Sequence, residues 1–204
     1  EEILDKRALE LREERKKNSS KFEKLVEKEL ANVAMKKTKF RVDIEDIGEG
    51  EYLPHGKDRV KFSINTTGRG FFTLNMIASG GELSRIMLVL KEIYFKDDRT
   101  ETLIFDEIDM GIGGETAISV GVKVKKISAH KQVIAITHLH QIAKFSDNHY
   151  LVEKKDDGER VFTTINCLNK KEKIDEIARM LGGDRLSEKA YKLAEDIIEN
   201  EDDS

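Results

Sequence analysis

The sequence has a single cysteine, Cys167, in 204 residues. One thiol excludes an intramolecular disulfide framework and a Cys-x-x-Cys metal site, and it fits a reducing compartment. No apolar run approaches the ~18 residues that a membrane-spanning helix needs. The opening Glu1-Glu2-Ile3-Leu4 does not read as a secretory signal. A soluble, cytoplasmic protein with no membrane partner is expected. There is no initiator methionine, so the sequence reads as a piece of something longer. Glycine and proline are missing from residues 1–35, which leaves nothing there to interrupt a helix.

Charge is present in excess. Charged residues make up 37% of the chain, against a usual ~25%, whereas hydrophobic residues at 38% together with 14 glycines are close to an ordinary globular level. Wholesale disorder is therefore excluded, and the surplus charge implies a solvated helix or coiled coil. The net charge of −4 argues against a globally basic nucleic-acid binder. The distribution is uneven: residues 1–41 hold 13 Lys/Arg against 9 Asp/Glu, and residues 195–204 hold six acids and no base. The length suits one domain to one and a half, at about 150 residues each.

Leu4, Leu11, Asn18, Leu25 and Asn32 recur every seven residues, with Ala8 and Phe22 four positions after two of them. This predicts a coiled-coil seam, interrupted by Arg15, Asn18 and Glu29. A solvated helix lying on its own domain is the alternative. From Phe40 the period becomes two. Phe40, Val42 and Ile44, then Val60, Phe62 and Ile64, alternate with polar residues and predict antiparallel strands with one wet face. Ser79 opens a helix with apolar positions at Leu83, Ile86, Met87, Leu90 and Ile93. The runs Leu103-Ile104-Phe105 and Gln132 to Ile136, separated by a helix over about 115–129, predict a βαβ unit with buried parallel strands. A hairpin turning at Asp156-Asp157-Gly158 follows, then helices over 174–181, stopped by Gly182-Gly183, and about 187–199.

In open α/β sheets ligands bind at the carboxyl ends of parallel strands. Here those ends deliver Asp106-Glu107 and Thr137-His138. An aspartate can hold Mg²⁺ there while the next carboxylate orients a water, although acids in this position can also simply cap a turn. His138 beside them favours chemistry. Ser79-Gly80-Gly81-Glu82 is a capping box, and its glycines also expose amides at the positive end of a helix dipole, where a phosphate can bind.

Three patterns lead nowhere. Gly50 to Gly56-Lys57-Asp58 mimics a Walker A loop, but five residues separate its glycines and Asp58 stands where Ser/Thr would ligate Mg²⁺. Gly111-Ile112-Gly113-Gly114 lacks dinucleotide-binding spacing. His138 and His140 lack a third metal ligand.

Ser79-Gly80-Gly81-Glu82-Leu83-Ser84-Arg85, Leu103 to Glu107 and Ile136-Thr137-His138 resemble, in order and separation, the signature, Walker B and switch-histidine motifs of ABC-type ATPases. The longer strings Ile77 to Met87, Asp106 to Gly114, Thr137 to Ala143 and Ala178 to Gly183 resemble the C-terminal part of the RecN family, bacterial DNA-repair ATPases related to SMC proteins. The resemblance spans essentially the whole chain. It implies an ATPase head built from two sequence halves joined by an antiparallel coiled coil. Residues 1–37 would then be the returning coiled-coil stub. Residues 38–204 would be the α/β C-terminal lobe, parallel strands with helices plus antiparallel strands, and Walker A would lie in the other half.

The same resemblance implies ATP and Mg²⁺ as cofactors. Asp106 would hold the metal, Glu107 would be the general base, and His138 would contact the γ-phosphate. Ser79, Gly80, Gly81 and Glu82 would meet the nucleotide of a second head, with 109–113, starting at Asp109, forming the D-loop at that junction. The implied partners are the N-terminal half, a second head in an ATP-dependent dimer, and DNA bound by the full-length protein. The implied role is recombinational repair of double-strand breaks at the nucleoid, with this chain alone inactive. Gly113 stands where many ABC proteins have an acid, and His140 where proline is common. The alternatives are the head of another SMC-like protein, a transporter subunit, or a non-catalytic DNA-binding module. A transporter would not place heptads before the signature. The module predicts strong, salt-dependent DNA binding without nucleotide.

Overall fold

The computed structural model describes residues 2–48, 50–77, 79–94, 99–156, 158, 160–183 and 187–202; Glu1 and Asp157 of the readings above, and Ala78, Asp203 and Ser204 within their ranges, lie outside them. The chain forms two compact units, residues 1–99 and 100–204.

In the first unit, helix α1 (Glu2–Ala31) runs without a break, as the lack of glycine and proline requires. Strands β1 (Lys39–Asp46) and β2 (Asp58–Asn65) pair antiparallel over their full length, and a short β3 (Phe72–Thr73) adds to β2. Helix α2 (Gly80–Tyr94) follows a 3-10 turn. The alternative reading of α1 describes what the helix does along its own domain. Ala8, Val26 and Leu30 are buried, and Phe22 packs at ring distances of 5.7 Å from Phe40, 5.8 Å from Phe62 and 5.4 Å from Tyr94, tying α1 to β1, β2 and α2. The heptad line stays open: Leu4, Leu11 and Leu25 are exposed.

Charge fixes the other half of α1. Asp58 is fully buried. Arg12 Nε donates to its Oδ1 at 2.6 Å and Arg15 Nη1 to its Oδ2 at 3.0 Å, while Arg12 also reaches Asp46 at 2.6 Å and Lys57 reaches Asp5 at 2.9 Å. The Arg12 guanidinium holds the Asp46 carboxyl below its ordinary range, as Lys57 does for Asp5. Lys57 and Asp58 of the false Walker A loop are thus spent on anchoring the helix. Asp58→Ala takes the buried carboxylate from two partly buried guanidiniums, leaving Arg12 with Asp46 and Arg15 with the His55 carbonyl, and it is expected to destabilise this unit by about 3 kcal/mol. Urea unfolding followed by far-UV circular dichroism checks this, and a change below ~1 kcal/mol contradicts it.

In the second unit, β4 (Thr102–Phe105) and β5 (Gln132–Ala135) pair in parallel around α3 (Gly114–Ser128), with Phe105 opposite Ala135. A single turn α4 (His140–Ala143), the antiparallel hairpin β6 (Tyr150–Asp156) and β7 (Val161–Cys167), and helices α5 (Lys170–Gly182) and α6 (Glu188–Asp202) complete it. The start of α5 lies earlier than apolar spacing predicts. Asn169 and Glu172 form a reciprocal capping box, with N–H donors at 3.0 and 2.8 Å. Ile174, Ile177 and Ala178 of α5 pack with Ala194 and Ile198 of α6 and Ala143.

The expectation of parallel strands buried on both faces is corrected. Leu103 and Phe105 are buried, but Ile104 is 67% exposed, and Ile134 of the neighbouring strand and Ile136 just after it are also open. A two-stranded sheet with its crossover helix on one side has nothing among the described residues of this unit to cover the other. Gly121 sets how closely that crossover helix approaches α4, because a Cβ there would collide with the Phe145 ring.

Candidate functional site

The register that pairs Phe105 with Ala135, continued by the Ile136 amide donating to the Phe105 carbonyl at 2.9 Å, brings Asp106-Glu107 and Thr137-His138 to the same end of two adjacent strands. Asp106, Glu107 and His138 are exposed there. Glu107 departs from strand geometry, with φ at +55° in the left-handed region. For a residue with a Cβ this costs roughly 1 kcal/mol or more, and such outliers persist where surrounding structure imposes them. The imposing contacts are visible. The Glu107 amide donates to Asp106 Oδ1 at 2.9 Å, its carbonyl accepts from Met110 N–H at 3.0 Å, and the next residue, Ile108, is fully buried as an anchor. The bend breaks the strand alternation of side chains at the point where the two carboxylates emerge.

Asp109 is the hub of the site. It is 3% exposed, and its Oδ2 accepts from Thr137 Oγ1 at 2.5 Å and from the His138 backbone amide at 2.8 Å, with His138 Nδ1 3.0 Å away. Thr137 Oγ1 in turn accepts from the Leu139 amide at 3.0 Å. One buried carboxylate oxygen therefore fixes both the backbone after β5 and the imidazole ring. The ring is turned with Nδ1 toward Asp109, while 69% of the His138 side chain remains open to solvent. Sequence reasoning placed Asp109 among the nucleotide contacts. Its partners 28 and 29 residues downstream give it an inward-facing, positioning geometry that no local pattern announces. Of the other histidines, His140 and His149 are both held below their ordinary pKa, first by burial and then by Lys144 and Lys173 respectively.

Ser79, Gly80, Gly81 and Glu82 lie in the other unit, at the start of α2. Ser79 and Gly80 are exposed and Gly81 is buried. The Glu82 amide donates to Ser79 Oγ at a long 3.4 Å, and the Leu83 amide to the Ser79 carbonyl at 3.0 Å. The serine thus caps the helix weakly and presents its tip outward.

No family model matches the chain. Among curated proteins, the DNA repair protein RecN of Halalkalibacterium halodurans is 36% identical over 188 residues, covering 91% of this chain and 33% of that protein. RecN of Treponema pallidum is 41% identical over 182 residues, covering 87% and 32%. RecN of Bacillus subtilis is 34% identical over 202 residues, covering 92% and 35%. The chain spans about a third of the length of these relatives. Among solved structures, the Smc head domain with a coiled coil and joint from Pyrococcus yayanosii aligns with a TM-score of 0.52 at 18% identity, over 85% of this chain and 28% of that one. The Smc head domain of Pyrococcus furiosus, bound to the C-terminal domain of ScpA, aligns with a TM-score of 0.52 at 19% identity, over 86% and 37%. The chain corresponds to the C-terminal portion of RecN proteins and shares the fold of part of an SMC head domain.

Proposed function

We propose that the chain is the C-terminal half of a RecN-like ATPase head acting in recombinational repair of DNA double-strand breaks at the nucleoid. It would supply the signature helix, the Walker B carboxylates and the switch histidine. The observation that carries this reading is the delivery of Asp106, Glu107 and His138, all exposed, to one end of paired parallel strands. The donor set suits the implied cofactor, since an exposed aspartate at a strand end is a hard oxygen ligand of the kind Mg²⁺ prefers. Asp106 would hold that ion, which when bound neutralises charge on the phosphates of ATP. Glu107 accepts a proton from, and orients, the attacking water. His138 would donate an Nε2–H to the terminal phosphate, and Asp109 acts through His138 by fixing its ring.

Two apolar surfaces support a missing N-terminal half as the first partner. One is the open face of β4 and β5. The other is the hairpin face on which Tyr150, Val152 and Ile165 are each more than half exposed. Covering such a face is what completes a parallel sheet. The second partner is another head, approached by the Ser79-Gly80-Gly81 tip. Triphosphate binding rests mainly on P-loop amides and lysine, and these would come from the N-terminal half. Supplying that half in trans is therefore expected to give Mg-ATPase activity, while the 204 residues alone stay silent. Turnover by the isolated chain at the complex's rate would show the division of labour to be wrong.

A further inference from the structure

We infer that the outward side of α1 is a track for the phosphate backbone of duplex DNA, formed by Lys17, Lys21, Lys24 and Lys28. These residues follow a 4, 3, 4 spacing, which aligns them on one helical face. All four are exposed. Phe22, Val26 and Leu30 point the opposite way, toward the domain's own sheet.

Counter-charges are withdrawn from this face. The three glutamates between Lys17 and Ala31 are committed elsewhere. Glu23 accepts from the Val42 amide at 2.8 Å, Glu27 from the Phe40 amide at 3.1 Å and from Lys39 at 2.8 Å, and Glu29 from Asn32 at 3.3 Å. Lys17 keeps one partner, Glu14 at 3.5 Å, with both side chains more than 60% exposed. Such a pair is weak and yields readily to phosphate. Lys21, Lys24 and Lys28 have no carboxylate partner among the described residues. Earlier on α1, Arg7 and Lys16 are likewise paired with a glutamate three residues away, a pattern that stops after Lys17.

The row is about 16 Å long at 1.5 Å per residue, and one DNA strand presents a phosphate every ~3.4 Å along its axis. It therefore faces a run of phosphates. An anionic membrane fits less well, because a helix that binds a membrane surface must offer an apolar face, and the one on α1 is already packed against β1. The heptad line of Leu4, Leu11 and Leu25 occupies an adjacent side, so a second arm can lie there without displacing the lysine row.

The inference adds a location to the proposed repair role, and it is read without nucleotide so that it stands or falls apart from the ATPase. The test uses the whole chain. Anisotropy of a labelled 30-base-pair duplex is titrated from 50 to 200 mM salt against wild type, against K17Q/K21Q/K24Q/K28Q, and against K154Q/K155Q/K189Q/K192Q, which removes the same charge elsewhere. Glutamine matches lysine in helix propensity, and circular dichroism confirms that α1 persists. The expected result is weak binding by wild type, with log K falling about fourfold as steeply as log salt rises. The α1 variant should lose at least ~10-fold at low salt with a nearly flat slope, and the control no more than ~2-fold. No duplex binding by wild type, equal loss in both variants, or preference for phosphatidylserine vesicles over DNA would each overturn it. If the trans-complemented head hydrolyses ATP while the lysine variant binds DNA normally, the track alone is lost.

Discussion

In the trans-complemented head, Glu107→Gln is expected to lower kcat by ~10²–10⁴, the usual worth of a positioned general base, with little change in the affinity for ATP. The structure makes this substitution unusually readable. The Glu107 carboxylate has no hydrogen-bond partner among the described residues, and only its backbone is engaged, with Asp106 and Met110. An amide of the same shape therefore removes no structural contact and leaves the left-handed turn in place. The proton-accepting oxygen is all that is lost. Affinity should stay nearly constant because, in the proposed division of labour, the groups that grip the triphosphate would belong to the other half. Steady-state ATPase measurements with nucleotide titration separate the two parameters. Unchanged turnover would remove Glu107 from the role of base, and a rise in KM with kcat intact would assign it to binding.

What could be read from the chain and what could not divide along a physical line. Short apolar runs ending in Asp106-Glu107 and Thr137-His138 announce strand ends, since alternation and length are local properties, and β4 and β5 lie where those runs lie. The role of Asp109 is not local. An acid in a glycine-rich loop reads as solvated, and only the parallel pairing of β4 with β5 brings Thr137 and His138 over it to enclose its carboxylate. Helix α1 shows the same limit. Its heptad leucines Leu4, Leu11 and Leu25 lie exposed along one side, but of the two positions counted with them Ala8 is buried and Phe22 turns toward the sheet. A signal for this was available in Asp58. An acid between two strand-forming segments, with Arg12 and Arg15 three apart on a helix, is an ion cluster waiting for its third member. The open face of β4 and β5 misled for a different reason. Ile104, Ile134 and Ile136 have the composition of a surface covered on both sides, and composition records that a cover is needed, not that this chain contains it.

Ser79→Arg is expected to abolish ATP-driven pairing of heads while sparing nucleotide binding by each one. Ser79 is exposed at the tip of α2, and among the described residues its side chain makes one long hydrogen bond, accepted from the Glu82 amide at 3.4 Å. Losing a helix cap costs about 1 kcal/mol, too little to unfold a helix whose Ile86, Leu88 and Val89 are completely buried. The effect of arginine is then steric and electrostatic at the surface. A long cation replaces a small hydroxyl beside Gly80, which is exposed at the helix start where a phosphate can bind. The measurement is sizing chromatography of the trans-complemented head with Mg-ATP in a Glu107→Gln background, where bound nucleotide persists. Wild-type Ser79 should give an ATP-dependent dimer and Ser79→Arg only the single head. Ser79→Thr, which keeps the hydroxyl cap, should restore the dimer at least in part. A dimer that persists with arginine would mean that the α2 tip does not face a second head's nucleotide, and that Ser79 serves only to start its helix.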